Sequence, residues 1–131
     1  MVQTVQPFLM FEGRAEEAMQ FYTEHVPACE IVEMVKFGPG QQGAEGSVLR
    51  GVLNIAGLSV ICMDSPVHHA FTFTPSISLF VTCDSLEEIA RVAGALGDGG
   101  GVLMGMADYG FSRQFTWLND RFGVSWQLNL P

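Results

Sequence analysis

The chain has 131 residues, enough for one ordinary domain and too few for two. With 48% hydrophobic residues it can bury a real core, roughly two-thirds of its unfolded surface at this size. A net charge of −8, with Lys36 and five arginines as the only cationic side chains besides histidine, excludes the basic patch that nucleic acid requires.

An acidic surface favours solubility and is able to draw in cationic small molecules. No apolar run is long enough to span a bilayer. Met1-Val2-Gln3-Thr4 does not read as a secretory signal. The three cysteines, at 29, 62 and 83, are odd in number and form no CxxC pair. Reduced thiols in a cytoplasmic protein fit this usage.

In chain order, Pro7-Phe8-Leu9-Met10-Phe11 is a short apolar run that suits a buried strand. Glu12-Gly13 turns the chain, and Arg14 to Val26 reads as a helix. Ala15, Ala18, Met19, Tyr22 and Val26 recur at helical spacing on one face. Glu16 and Glu17 complement the helix dipole, His25 suits its far end, and Pro27 stops it. Cys29 to Phe37 reads as a strand. Gly38 to Gly46, rich in glycine, is a loop. Val48 to Ala56 and Leu58 to Met63 are strands joined by a tight hairpin at Gly57.

The second half repeats the order. Ser76 to Thr82 reads as a strand by alternation, with Ser76, Ser78 and Phe80 on one side and Ile77, Leu79 and Val81 on the other. Ser85 and Glu88 form a capping box ahead of a helix that buries Leu86, Ile89, Ala93 and Leu96. Gly97 to Gly101 stops that helix. Val102 to Met106, Arg113 to Asn119 and Val124 to Leu130 are the last strands.

The order is therefore βαβββ twice, an α+β chain with module one at about residues 1–66 and module two at about 75–131. Each module has one helix to cover one sheet face. Two modules side by side would form a cupped mixed sheet, and the cup is the natural ligand site. Alternation assigns its lining to Leu9, Phe11, Ser59, Ile61, Met63, Ser76, Ser78, Phe80, Ser125, Gln127 and Asn129. That lining is apolar with a few hydroxyls and amides. It suits a small, partly hydrophobic organic ligand, or it simply fills the cup or packs on a partner chain.

Other residues with chemical potential have plainer readings beside them. His68-His69 and Asp64 could bind a metal, or the histidines could serve as general acid or base. The plainer reading is an exposed, solvated pair. Asp108 to Arg113 could form a lid, with Arg113 on an anionic ligand group or paired with Asp108. Trp117 and Trp126 read as core. No GxSxG elbow and no glycine-rich phosphate loop ending in Lys-Ser or Lys-Thr occurs.

The segment from Pro7 to Tyr22, with Ala15-Glu16-Glu17-Ala18 ahead of Phe21-Tyr22, resembles the opening of PhnB-like proteins. The ending Trp117 to Leu128, with Asp120-Arg121-Phe122-Gly123 and Trp126, resembles the close of the same family. These proteins belong to the vicinal-oxygen-chelate superfamily of glyoxalases, bleomycin-resistance proteins and extradiol dioxygenases. The resemblance implies the glyoxalase/bleomycin-resistance fold, and a homodimer. In metal-dependent members, His, Gln or Glu ligands come from the first, fourth, fifth and eighth strands. The matching positions here are Pro7, Ile61, Ser76 and Gln127. One amide among four such side chains does not offset the lost hydration of a divalent ion, so neither metal nor other cofactor is expected.

Some relatives carry a demethylubiquinone methyltransferase label, yet the chain looks too small for the usual methyl-donor domain. The expectation is a binding protein, or a metal-independent enzyme of unassigned reaction, for a small organic molecule. The alternatives are a metal-dependent lyase or dioxygenase with unusual ligands, and sequestration of a cationic drug.

Overall fold

Eight strands and two helices follow the order β1 (Phe8–Phe11), α1 (Ala15–His25), β2 (Cys29–Lys36), β3 (Val48–Ile55), β4 (Leu58–Asp64), β5 (Leu79–Thr82), α2 (Leu86–Gly97), β6 (Gly101–Ala107), β7 (Gln114–Asn119) and β8 (Ser125–Leu130). The computed structural model describes residues 1–131. They form two compact units, Met1–His69 and Ala70–Pro131. Each unit holds a four-stranded mixed sheet, β1-β4-β3-β2 in the first and β5-β8-β7-β6 in the second.

In the first unit β1 lies parallel to β4, and β3 is antiparallel to both β2 and β4. The β3–β4 connection is the two-residue hairpin expected at Gly57. Ala56 and Gly57 both have positive φ, +50° and +95°, the twist that a type I′ turn needs. Asn54 Oδ1 accepts from the Gly57 amide at 2.8 Å and fixes the turn.

Helix α1 covers one face of this sheet. A Cβ on Gly51 would lie 2.5 Å from Met19 Sδ, so the glycine lets the helix approach. Residues paired across a ladder point the same way. Gly51 pairs with Cys62, and Cys62 with Leu9. Leu9, Phe11, Val60, Cys62 and Asp64 therefore share the helix side, where Phe11, Val60, Cys62 and Asp64 are all buried. The helix-free side carries Phe8, Met10, Val52, Ser59, Ile61 and Met63.

This corrects the expected lining. Leu9 and Phe11 do not share a face with Ile61 and Met63, because β1 pairs with β4 in the register Leu9↔Cys62 and Phe11↔Asp64. Pro7 precedes β1, and its carbonyl accepts from the Ile61 amide at 2.9 Å.

The second unit repeats the plan. β5 lies parallel to β8, and β7 is antiparallel to β6 and β8. Ser85 caps α2, accepting from the Glu88 amide at 3.1 Å, while Glu88 reaches back to the Asp84 amide at 2.9 Å. Ile89, Val92 and Leu96 bury against the sheet side that carries Leu118, Trp126 and Leu128. β5 is shorter than expected. Thr74 Oγ1 accepts from the Ser76 amide at 3.2 Å and contacts the Ser76 hydroxyl at 2.9 Å. This local turn competes with the sheet ladder, so Ser76 sits before the strand, exposed.

Candidate functional site

The helix-free face of the second sheet is assembled by register. Phe80 pairs with Gln127, Gln127 with Trp117, Asn129 with Phe115, and Asn119 with Ser125. β8 reads Ser-Trp-Gln-Leu-Asn-Leu, and its strict alternation sends Trp126, Leu128 and Leu130 under α2. Ser125, Gln127 and Asn129 are left on the other side.

There the polar groups connect. Trp117 Nε1 donates to Ser125 Oγ at 2.8 Å, Ser125 Oγ donates to Ser78 Oγ at 3.3 Å, and Gln127 Nε2 donates to the same Ser78 oxygen at 3.2 Å. Beside this array stands an aromatic group. Phe115 packs edge-on against Phe111 at 5.1 Å and Tyr109 at 6.1 Å, with Phe80 tilted over it at 6.5 Å. The Tyr109 hydroxyl donates to the Gly105 carbonyl at 2.7 Å, which ties the 108–113 loop to β6. The buried oxygens Asn119 Oδ1 and Asn129 Oδ1, from the same sheet side, have no hydrogen-bond partner.

Of the lining expected from the sequence, Ser78, Phe80, Ser125 and Gln127 thus come together. Ser76 does not join them, because it stands in the turn before β5. Trp117 was expected in the core and instead belongs to this face, half-buried. Its parity with Phe115 and Asn119 along β7 was the signal. Trp126 is core as expected, fully buried, with Nε1 donating to Asp120 Oδ2 at 2.9 Å. Arg113 does not pair with Asp108; its Nε donates to the Pro131 backbone oxygen at 2.6 Å.

The histidine loop takes another form than a metal site. Asp64 is 2% exposed, and its carboxylate accepts from the Gly13, Ala15 and Val48 amides at 2.7, 3.0 and 2.9 Å. It serves as the N-terminal cap that Arg14 does not provide. His68 Nδ1 instead meets Glu12 Oε1 at 2.7 Å, and this hydrogen bond holds the Glu12 carboxyl below its usual range. His69 Nε2 meets Ser65 Oγ at 2.8 Å.

No group of three or more His, Cys, Asp or Glu side chains converges in the chain. The residues that the resemblance matches to metal positions do not fit a divalent ion. Pro7 lies outside β1, Ile61 has no donor atom, and Ser76 is in a turn. Gln127 brings a single amide. The thiols are not poised as nucleophiles either. Burial pushes Cys62 up to about 12, and Cys29 and Cys83 up to about 11.

Paired βαβββ units of this topology define the glyoxalase/bleomycin-resistance fold. The match to a glyoxylase/bleomycin resistance protein/dioxygenase domain from Frankia has a TM-score of 0.67 at 12% identity, covering 99% of this chain and 93% of that one. The fosfomycin resistance protein FosX of Listeria monocytogenes matches at a TM-score of 0.62 and 11% identity, with 100% and 94% covered. Both likenesses concern the fold alone.

Residues 3–129 match the family model for 3-demethylubiquinone-9 3-methyltransferase, and the chain belongs to this PhnB-like family. It is 47% identical to a Bacillus cereus PhnB protein that carries a provisional 3-demethylubiquinone-9 3-methyltransferase label. The TM-score is 0.94, with 98% of this chain and 100% of that one covered. A Pseudomonas aeruginosa protein matches at 26% identity and a TM-score of 0.85, with 98% of each chain covered. None of the curated proteins matches the chain.

Proposed function

We propose that this PhnB-like protein binds a small organic molecule on the helix-free face of its second sheet, without a metal. The observation that carries the reading is the hydrogen-bonded array Trp117–Ser125–Ser78–Gln127 beside Phe80 and Phe115. A face that only filled space would be apolar. Here polar atoms are fixed by one another and flanked by aromatic rings, the mixture that orients a bound organic molecule. Ile61 and Met63 lie on the helix-free face of the first sheet.

The donor set supports a metal-independent mode. Neutral amides and hydroxyls bind organic carbonyls and hydroxyls well and divalent ions poorly. The reading further includes a homodimer in the cytoplasm. Supporting the dimer, the edge strands β2 and β6 expose Val32, Val35, Val102 and Leu103. No helix is long and apolar enough to cross a membrane.

Native mass spectrometry of untagged protein, paired with elemental analysis, tests the reading. The expected spectrum shows one small organic adduct per chain that is lost in the Gln127→Leu variant, with metal far below one equivalent. A stoichiometric metal that disappears in the His68→Ala, His69→Ala double variant would overturn it.

A further inference from the structure

The direction of each hydrogen bond in the array fixes what it leaves over. Trp117 can only donate, so Ser125 Oγ accepts from it and turns its own proton to Ser78. Gln127 Nε2 donates to Ser78 as well. The Ser78 oxygen therefore accepts two hydrogen bonds, both of its lone pairs are engaged, and its own O–H has to donate elsewhere. A hydroxyl polarised by two incoming donors is a stronger donor itself. On the other side of Gln127 the amide oxygen Oε1 takes no hydrogen bond from Trp117, Ser125 or Ser78. One outward donor, Ser78 O–H, thus stands next to one outward acceptor, Gln127 Oε1.

The charges around this pair are equally specific. The cationic side chains of residues 70–131 are Arg91, Arg113 and Arg121. Arg121 is held on Asp98 at 3.3 Å, Arg113 on the Pro131 carbonyl, and Arg91 lies on α2, across the sheet. None of the three contacts Ser78 or Gln127. Phe80, Phe115 and Trp117 flank the pair with flat apolar surface.

Resting on the binding reading above, we infer that the face selects a neutral, planar group bearing an acceptor and a donor side by side, a carboxamide attached to an aromatic or otherwise flat body. The ligand carbonyl takes the Ser78 proton and the ligand N–H meets Gln127 Oε1. Carboxylates are disfavoured because one of their oxygens would face Gln127 Oε1, and no cation of this unit contacts the pair.

Three probes of one shape separate the possibilities: benzamide, acetophenone, which keeps the carbonyl but has no donor, and benzoate. Binding is read from the Trp117 indole N–H resonance of the 15N-labelled chain. Benzamide is expected to bind roughly tenfold or more tighter than acetophenone, from one extra hydrogen bond in a half-buried site, and benzoate weakest. Gln127→Leu should abolish the benzamide advantage. Ser78→Ala should weaken benzamide and acetophenone alike. Equal affinity for benzamide and acetophenone in the unsubstituted protein, or a preference for benzoate, overturns the donor–acceptor inference and leaves the binding reading standing. No response to any probe overturns both.

Discussion

Asp64 and Asp120 are the two buried carboxylates of the chain, and each organises a turn with backbone amides. Asp64 accepts three of them, from Gly13, Ala15 and Val48. Asp120 accepts the Phe122 and Val124 amides at 2.8 and 3.0 Å together with the Trp126 indole. An unsatisfied buried donor costs about 1–3 kcal/mol, so removing either carboxylate should be severe. Asp64→Ala is expected to lower stability by about 3 kcal/mol or more in urea denaturation, and Asp64→Asn by somewhat less. An Asp64→Ala protein as stable as the unsubstituted chain would show that these bonds are replaced by water. The role of Asp64 was invisible in the sequence, where it stood beside two histidines and invited a metal reading. Its partners are at positions 13, 15 and 48, and only the fold brings them together.

At the scale of elements, the strands differed in how openly they declared their faces. β8 alternates polar and apolar residues, so Ser125 and Gln127 were assigned correctly to one side. In β1 every residue from Phe8 to Phe11 is apolar. Such a run carries no parity, and a shift of one residue exchanges the faces. Pairing with β4 decides the matter and puts Leu9 and Phe11 under α1. β5 was overextended for a related reason, since Ser76 and Ile77 continue an alternating pattern that the Thr74 turn interrupts.

The glycines of the second unit permit a sharp contrast. Gly94 lies within α2 with open space where a Cβ would go. Gly94→Ala should stabilise the protein by about 0.5–1 kcal/mol, the gain in helix propensity. Gly100 instead abuts the backbone carbonyl of Asn119. Gly100→Ala must push the β7–β8 hairpin away and should lower the midpoint of thermal unfolding by several degrees, about 1–3 kcal/mol of overpacking. Paired melting curves check both, and equal effects of the two substitutions would contradict this packing.

At the scale of the whole molecule, the doubled βαβββ order was legible because helix spacing, strand alternation and glycine punctuation agreed in both halves. The family opening and close reinforced it. The candidate face was half legible: Ser125 and Gln127 on β8 were placed together on it, while Trp117 was hidden because an indole in a strand usually means core. The proposed binding function rests on the geometry of these residues, a neutral array with no ligand set for a divalent cation.

One measurement reaches that claim directly. The two indole N–H resonances of the chain report on opposite sides of the second sheet, Trp117 beside the array and Trp126 buried against Asp120. In protein dialysed exhaustively against EDTA and then titrated with benzamide, the Trp117 resonance should move in a saturable way while Trp126 stays fixed. A Trp117 signal that stays silent until a divalent cation is restored would contradict the account.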